Sequence, residues 1–272
     1  MANLSVVRND TVGERMRLLV LGGTGDAKRL TQALIGSSLH DEQQLEIIYS
    51  VAGLVRLPEL ECEVISGGFT QFGGLAEYIR QRGFDALLDA THPFALAMSR
   101  AAVSAAQETG IPCWRLERAA WQPQPDDDWK LFSNWNDLLA EAMQYQSVFI
   151  SSGQLPVYVL ASWQANLLHK DEPQRQLLRT AVAPAHELLG SMQWLKAIGP
   201  FEIEDELALM RTHGIECLIT KNSGGQATEA KLVAARRLGV TVLMLNRPSL
   251  PTCDRSFETL AAAQEYIERR FL

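Results

Sequence analysis

Short apolar runs alternate with amphipathic stretches along most of the chain, and this alternation sets the predicted architecture. In the first half, each apolar run has the length of a strand, and the segment after it repeats its apolar residues at helical spacing. Strands that alternate with helices favour a mainly parallel sheet with right-handed crossovers. The pattern predicts strands at residues 17–21, 46–50, 61–65, 86–89 and 112–116, and helices at residues 26–35, 75–82 and 93–109.

The stretch WQPQPDDDWK at residues 121–130 interrupts this rhythm with two prolines and three aspartates. Such a composition is typical of a linker or a domain boundary. The alternation then resumes, and it ends in a last helix at residues 259–269. This second series predicts strands at residues 147–150, 176–182, 193–197, 216–220 and 241–245, and helices at residues 201–212 and 226–238.

The predicted fold class is therefore α/β, with two Rossmann-like domains whose mainly parallel sheets face a central cleft. In such sheets the carboxyl ends of the strands form the ligand-binding edge. We expect a dinucleotide-binding domain at residues 16–122 and a C-terminal α/β domain at residues 130–248. Residues 249–272 form a tail with a helix that the pattern assigns to neither domain, and the polar residues 1–15 are expected to be a frayed, disordered extension.

Composition excludes several classes of protein. The chain has 272 residues, 47% of them hydrophobic, and a net charge of -7, which argues against a general nucleic-acid-binding surface. No apolar run approaches the length of about 18 residues that a membrane span needs, and the N-terminus lacks the apolar stretch of a signal peptide. The four cysteines are widely spaced without a C-x-x-C pair, so we expect no metal site, reduced structural thiols and a cytoplasmic protein.

The first strand is followed by a glycine-bearing turn, Gly22-Gly23-Thr24-Gly25-Asp26, at the start of a helix. Glycine lets the backbone approach a ligand closely, and a helix N-terminus suits a pyrophosphate. The turn departs from G-x-G-x-x-G, because its third glycine would fall at position 28, which is a lysine. We predict a cofactor cradle here; a plain tight turn is the alternative.

The end of the second predicted strand bears on the choice of cofactor. NAD sites usually carry Asp or Glu there, and this chain has none; Ser50 and Arg56 are nearby instead. A missing carboxylate and a nearby arginine favour NADPH, whose 2′-phosphate a carboxylate would repel, while NADH remains an alternative. Arg56 could equally be a solvated surface residue.

The stretch DATHP places Asp89, Thr91 and His92 at the end of another strand, and Pro93 is expected to open the next helix. His92 is a candidate for catalysis and for cofactor binding, as Thr91 and Pro93 are for cofactor binding. The structural alternatives are that Asp89, Ala90 or Thr91 caps the helix and that His92 is an ordinary hydrogen-bonded histidine.

The stretch TKNSGG has a similar position in the second half, where Lys221, Asn222, Ser223 and Gly224 follow an apolar run. Lys221 could pair with a ligand phosphate or carboxylate. Helix capping by Asn222 and Ser223 is the structural alternative. The turn SSGQ at residues 151–154 offers hydroxyl groups at an equivalent strand end, with lower specificity.

Taken together, these motifs point to one family. LVLGGTGDAKRL, SVAG, GGFTQFGGL, DATHPFA, RLER, GPF, ALMRTHGIECLITKNSGG and AARRLGVTVLMLNRP occur in this order. From about residue 16 to residue 248 the chain resembles the precorrin-6A reductase family, including its cobalt-precorrin-6A members. Departures are Leu54 where the family usually has Arg, Asp26 where it commonly has Glu, and Ile198 where it often has Arg.

The resemblance implies a two-domain enzyme of cobalamin biosynthesis that uses a reduced nicotinamide cofactor, usually NADPH. The enzyme would reduce one double bond of the tetrapyrrole precorrin-6A and give precorrin-6B. The resemblance also implies that the TKNSGG loop closes over the cofactor from the other domain, and that the cofactor is lined by residues 22–26, by Ser50, Ala52 and Gly53, and by the DATHPFA loop.

Several alternatives stay open at this point. His92, Lys221 or water could supply the proton that accompanies hydride transfer. Competing functions are a non-catalytic NADP-binding sensor module, a different NADP-dependent oxidoreductase and an S-adenosylmethionine-dependent methyltransferase. The sequence does not predict the oligomeric state or whether the macrocycle carries cobalt. Basic residues that could pair with substrate carboxylates, and are otherwise surface ions, are Arg100, Arg115, Arg118, Lys231 and Arg247.

Overall fold

The computed structural model describes residues 15–37, 44–51, 57–170 and 172–271. The chain divides into two compact units. The first unit comprises the chain up to Glu117 together with the chain from Leu250 onward, and the second unit is Arg118–Ser249. Residues 1–14, for which the sequence predicts a frayed extension, lie outside the described residues.

The first unit is built on a six-stranded, fully parallel sheet. Its strand order is β12-β5-β4-β1-β2-β3. The central strands are apolar along both faces because helices cover both sides; the last four residues of β1 are buried. The strands are β1 Met16–Leu21, β2 Leu45–Val51, β3 Glu63–Ser66, β4 Ala86–Asp89, β5 Cys113–Leu116 and β12 Arg255–Phe257.

Among the described residues, four helices cover this sheet. They are α1 Gly25–Ile35, α2 Leu75–Arg82, α3 Leu96–Thr109 and α8 Leu260–Phe271, with a short 3-10 turn at Phe69–Phe72. One core layer joins α1 and α8 to the sheet through residues such as Leu30 and Ile267. The opposite layer packs α2 and α3 against it through residues such as Ile79 and Val103. The two layers fix the position of the loops at the carboxyl edge.

The second unit repeats this plan with strand order β6-β11-β10-β7-β8-β9, again fully parallel. Its strands are β6 Trp129–Phe132, β7 Ser147–Ser151, β8 Arg175–Thr180, β9 Met192–Lys196, β10 Cys217–Lys221 and β11 Thr241–Leu245. Its helices are α4 Trp135–Ala142, α5 Val157–Leu167, α6 Ile203–Thr212 and α7 Ala230–Leu238, with a 3-10 turn at Gln226–Thr228 before α7.

The predicted fold class, α/β with two parallel Rossmann-like sheets, is confirmed. The strands at residues 86–89 and 241–245 and the helix at residues 75–82 have the predicted bounds. The prediction that Pro93 opens α3 is wrong: residues 93–94 form a turn in which Ala95 N–H donates to the His92 carbonyl (2.7 Å), and the helix begins at Leu96.

Residues 121–130, predicted as a linker or a domain boundary, do not form a linker. Trp121 is only 8% exposed and belongs to the core of the second unit, and Trp129 already begins β6. Asp127 forms an ion pair with Arg236 of α7. The segment is therefore packed against the second unit, and the division between the units falls between Glu117 and Arg118.

The C-terminal tail, which the sequence pattern assigned to neither domain, belongs to the first unit. Its strand β12 pairs with β5, and Glu117 N–H donates to the Phe257 carbonyl (2.8 Å). Ala263 and Ile267 of α8 are fully buried against α1. The chain thus leaves the first unit, forms the second and returns.

Among the described residues, no helix has the length and apolar character needed to cross a bilayer. Within the same residues, no group of His, Cys, Asp and Glu side chains is arranged to hold a metal ion. All four cysteines are free thiols, and Cys113 and Cys217 are buried. Burial raises the pKa of the Cys113 thiol to about 12, so it stays protonated as a small apolar group.

Candidate active site

The strand order of the first unit reverses between β1 and β4. From β1 the chain continues to β2 and β3 on one side, and β4 and β5 lie on the other. In open parallel sheets, ligands bind in the crevice at such a reversal, beyond the carboxyl ends of the strands. Leu21, at the end of β1, pairs with Ser50 of β2 and with Asp89 of β4. Three of the predicted site segments therefore meet at this edge.

The glycine turn is shaped by Tyr49, a residue that sequence reasoning missed. A Cβ atom at Gly22 would lie 2.0 Å from Cζ of the Tyr49 ring. Gly23 has a positive φ of 105°, and its N–H donates to the Tyr49 hydroxyl (3.0 Å). Burial raises the pKa of Tyr49, which keeps the hydroxyl protonated. Gly22 is thus required for packing and Gly23 for backbone conformation.

Helix α1 begins at the end of this turn with a hydroxyl cap. Thr24 Oγ1 accepts a hydrogen bond from Ala27 N–H (3.0 Å) and donates one to the Ala90 carbonyl (3.1 Å). The second bond ties the glycine turn directly to the DATHP loop. Cβ atoms built at Gly23 and Gly25 would meet no protein atom within 4 Å. The helix N-terminus is therefore accessible to a phosphate group, as a nucleotide site requires.

Asp26 lies in the first turn of α1, where its negative charge interacts favourably with the helix dipole but would repel a phosphate. Arg29, one turn later, pairs with the Asp26 carboxylate and offsets that charge. At the end of β2, Ser50 is buried, and its carbonyl accepts from Gly22 N–H (2.8 Å). The predicted cofactor-binding residues Ala52, Gly53 and Arg56 lie outside the described residues.

The DATHP loop is organised by a buried ion pair. One oxygen of the Asp89 carboxylate accepts from the backbone N–H (3.2 Å) and the hydroxyl (2.6 Å) of Thr91. The other accepts from Arg115 Nε (3.1 Å), and Arg115 Nη1 donates to the Pro251 carbonyl (2.7 Å). Capping of α3 by Asp89, Ala90 or Thr91 is therefore wrong, because the Asp89 and Thr91 side chains are engaged with each other and the N-cap of α3 is Ala95, without a side-chain hydrogen bond.

His92 is half-buried in this loop, directly after Thr91. Its Nδ1 accepts a hydrogen bond from Phe94 N–H (3.2 Å). A neutral imidazole that accepts at Nδ1 carries its hydrogen on Nε2, where it can donate a hydrogen bond.

In the second unit, the strand order reverses between β7 and β10, so the SSGQ turn and the TKNSGG loop occupy its carboxyl edge. Asn222 accepts from Trp121 N–H (2.8 Å) through Oδ1 and donates to the Trp121 carbonyl (3.1 Å) through Nδ2. The Ser223 carbonyl accepts from Arg118 Nε (2.7 Å). The alternative that Asn222 and Ser223 cap a helix is wrong, because neither of the helical segments that follow has a side-chain cap.

Two further features of this loop stand out. Gly224 has a positive φ of 64°, and a Cβ atom there would lie 2.2 Å from the Ala119 carbonyl oxygen, so only glycine fits. Lys221 ends β10 and is half-buried, and burial lowers the pKa of its ammonium group. A lysine with a lowered pKa at a strand's carboxyl end is suited to proton transfer or to binding an anion.

The basic residues proposed for substrate carboxylates differ in their surroundings. Arg100 is exposed. Arg247 donates to the carbonyls of Asn222 (2.8 Å) and Arg118 (2.7 Å), and so braces the TKNSGG loop. The default assignment as surface ions is wrong for Arg115 and Lys231, which are 5% and 3% exposed. Sequence reasoning also missed the buried ion pair between Arg179 and Glu206 in the second unit.

A parallel α/β unit with a glycine turn at its switch point and an accessible helix N-terminus defines a nucleotide-binding protein of the Rossmann class. Comparison with known proteins narrows this class. The chain matches the family described as precorrin-6x reductase CbiJ/CobK over residues 17–268. It therefore belongs to the precorrin-6x reductase family, a family of oxidoreductases. Membership of a reductase family implies a nicotinamide cofactor as hydride donor.

Individual relatives give the same result. A precorrin-6A reductase from Rhodococcus erythropolis is 40% identical over 259 residues, covering 92% of this chain and 97% of that protein. A cobalt-precorrin-6A reductase from Priestia megaterium is 29% identical over 252 residues, 90% of this chain and 97% of that protein. The solved structure of CobK precorrin-6A reductase has a TM-score of 0.80 at 33% identity and covers 93% of this chain and 96% of its own.

Proposed function

We propose that this chain reduces one double bond of the precorrin-6A macrocycle with NADPH and gives precorrin-6B, a step of cobalamin biosynthesis. The observation that carries the proposal is the hydrogen bond from Thr24 to the Ala90 carbonyl, which joins the glycine turn and the DATHP loop at the switch point of the first sheet. Membership of the reductase family supplies the reaction class.

The residues at this edge fit a dinucleotide. Gly23 and Gly25 leave room for a pyrophosphate beside the first turn of α1, and Thr24 holds that turn in place. When bound, the nicotinamide supplies the hydride. The protein holds the DATHP loop, which contains Thr91 and His92, next to the glycine turn. We propose that this positioning accelerates the reduction.

NADPH is preferred over NADH in this proposal because the described end of β2, Ser50 and Val51, carries no carboxylate that would repel a 2′-phosphate. Arg56 is the proposed partner of that phosphate. Replacing Arg56 by Gln should weaken NADPH binding about tenfold or more and leave NADH binding unchanged, as measured by fluorescence titration. Equal effects on both nucleotides would remove Arg56 from the site.

The proton that completes the reduction is assigned to one of two groups. Lys221 is one candidate, because burial lowers the pKa of its ammonium group. His92 is the other; it would donate as an imidazolium, after its Nδ1 has exchanged the hydrogen bond from Phe94 N–H for a proton. General acid catalysis typically contributes about 10²-fold to 10⁴-fold. A His92→Gln variant should lose a factor in this range in kcat if His92 is the donor, and Lys221→Gln should do so if Lys221 is. If kcat stays within about threefold in both, water is the donor.

The proposed function is tested by anaerobic oxidation of NADPH with precorrin-6A, followed by absorbance and by the mass of the product. We expect one NADPH consumed for each macrocycle, which gains two hydrogens. Tight NADPH binding without macrocycle reduction would indicate a sensor module or a different oxidoreductase. Binding of S-adenosylmethionine in place of NADPH would indicate a methyltransferase.

The nucleotide site has a matched pair of variants on one helix. A Gly25→Ala methyl group would point into the space proposed for the pyrophosphate, whereas Gly36→Ala, at the other end of α1, makes ordinary contacts with Gln32 and Ala33. Neither glycine has a positive φ. We expect Gly25→Ala to weaken NADPH binding at least tenfold and Gly36→Ala to leave it unchanged. Equal binding by both variants would remove the nucleotide from this turn.

We further propose that the metal-free macrocycle is the better substrate, because the higher identity is to a precorrin-6A reductase rather than to its cobalt-precorrin counterpart. Comparing kcat/KM for the two macrocycles tests this, and a higher value for the cobalt form would reverse it.

Four free thiols and a nicotinamide cofactor suit a reducing compartment, and we propose the cytoplasm.

A further inference from the structure

A buried lysine outside the motifs holds the carboxyl edge of the second sheet. Lys231, on α7, is 3% exposed. Its Nζ donates to the carbonyl (3.2 Å) and contacts the hydroxyl (3.4 Å) of Ser151, the last residue of β7. Thr220 of β10 adds a hydroxyl contact to the same carbonyl (3.3 Å). The residue that opens the SSGQ turn is therefore fixed by side chains from two neighbouring elements.

The same serine is also held by a buried ion pair. Arg179 Nη2 donates to Ser151 Oγ (3.2 Å), and Arg179 Nη1 donates to Glu206 Oε1 (2.6 Å). Both side chains of this pair are nearly inaccessible. A protonated Lys231 beside them leaves the cluster with two positive charges and one negative charge. Burial of an excess positive charge is costly unless an anion lies nearby.

Lys231 also supports the other loop at this edge. Its Nζ lies 5.5 Å from the centre of the Trp121 ring. Trp121 is bound through its backbone to the Asn222 side chain, and its Nε1 donates to the Gly225 carbonyl (3.2 Å). One side chain therefore contacts the supports of both the SSGQ turn and the TKNSGG loop, which flank the switch point of the second sheet.

We propose that Lys231 is a positioning residue for substrate binding: by holding Ser151 and bracing Trp121, it sets the two loops at the carboxyl edge of the second sheet to bind an acidic side chain of the macrocycle. This inference rests on the proposed function, because that function supplies a polycarboxylate substrate. Lys231 acts through Ser151 and Trp121, since a side chain this deeply buried does not itself reach the substrate.

The charge on Lys231 gives the proposal a specific signature. Burial lowers the pKa of Lys231, Arg179 from β8 adds to this effect and Glu206 from α6 opposes it, and together they bring the pKa to about 7. The other side chains against it, Ser151 and Trp121, do not titrate near this pH. A carboxylate bound at the edge favours the protonated lysine, so substrate binding and protonation reinforce each other.

The test is the pH dependence of KM for precorrin-6A at saturating NADPH. If a bound carboxylate raises the pKa of Lys231 from about 7 to about 8, linkage requires KM to rise about tenfold between pH 6 and pH 9. Isothermal titration of the macrocycle in buffers of different ionisation enthalpy should show proton uptake on binding near pH 7.5. This second readout needs no turnover.

Two variants should remove this dependence in opposite ways. The KM of Lys231→Met should not vary with pH and should equal the high KM of the wild-type protein at pH 9. The KM of Lys231→Arg should also not vary with pH and should equal the low KM of the wild-type protein at pH 6. The control is Lys130→Met, which removes an exposed lysine of the same unit and should leave the wild-type profile intact.

The outcomes separate this inference from the proposed function. Reduction of precorrin-6A with a KM that does not vary with pH, and binding without proton uptake, would overturn the role of Lys231 and leave the function standing. Failure of the wild-type protein to reduce or bind precorrin-6A at any pH would overturn the function itself. Should Lys231→Met fail to fold, proton uptake by the wild-type protein decides alone.

Discussion

The ion pair between Asp89 and Arg115 should be the main determinant of order in the DATHP loop. It joins the end of β4, the backbone of Thr91 and the returning chain at Pro251. The informative changes are Asp89→Asn, Arg115→Met and the two together. Each single change leaves the opposite charge buried, whereas the double variant buries no charge.

The expected magnitudes follow from burial. Both side chains are almost inaccessible, with 2% of Asp89 and 6% of Arg115 exposed. Removing one partner of a buried pair costs about 3–5 kcal/mol of unfolding free energy. Replacing both charges costs far less than leaving one charge unpaired. The stability loss of the double variant should therefore be about 2–3 kcal/mol smaller than the sum of the losses of the two single variants.

Urea denaturation followed by circular dichroism measures these losses, and an unchanged m-value shows that the denatured state is unaffected. A control is Arg82→Met, which removes a partly exposed pair with Glu63 and should cost about 1 kcal/mol or less. If each single variant lost as little stability as Arg82→Met, or if the two single losses summed to the loss of the double variant, Asp89 and Arg115 would not be coupled in the folded protein. NADPH affinity should fall with the single variants, because the loop contacts Thr24.

Three further predictions concern Lys231, Lys221 and Gly22. The pKa of Lys231 is about 7 in the folded protein and near 10.5 in the unfolded chain, so the free energy of unfolding should rise with pH between these values. In Lys231→Met this rise should be smaller by about 2–3 kcal/mol between pH 7 and pH 9.5, as measured by urea denaturation at each pH. Lys221→Ala should raise KM for the cofactor or the macrocycle, and unchanged steady-state kinetics would remove it from the site. Gly22→Ala should cost about 1–3 kcal/mol, since its methyl group would overlap Tyr49, and Tyr49→Leu in the same chain should recover part of the loss.

The sequence predicted most of the fold because the central strands are apolar on both faces and are bounded by turn residues. One element that it missed, helix α4, does carry a local signal, since Asn134 caps it and Leu138 and Leu139 lie on one apolar face. Three other missed elements lack such a signal. Strand β12 is short and largely exposed, and β6 lies at the edge of its sheet. Helix α5 is apolar nearly throughout, with Val157 and Tyr158 more than half exposed, so it shows little amphipathic pattern.

The candidate site was predictable where turn chemistry defines it. The glycine turn and the DATHP loop follow strands whose carboxyl ends must lie side by side in a parallel sheet. The buried pairs were not predictable, because their partners come together only through strand register and helix packing. Asp89 and Arg115 are 26 residues apart, and Arg179 and Glu206 are 27 residues apart. Residues this far apart in the sequence do not form a local pattern that would predict their pairing.

The proposed function depends on hydride transfer to the macrocycle from a nicotinamide nucleotide bound at the glycine turn. Anaerobic turnover of precorrin-6A with NADPH that carries two deuterium atoms at C4 of the nicotinamide tests it most directly. We expect a product that contains one carbon-bound deuterium, read by mass spectrometry, and we expect Gly25→Ala to form it far more slowly than Gly36→Ala. A reduced product without deuterium, or consumption of the labelled nucleotide with the macrocycle unchanged, would contradict it.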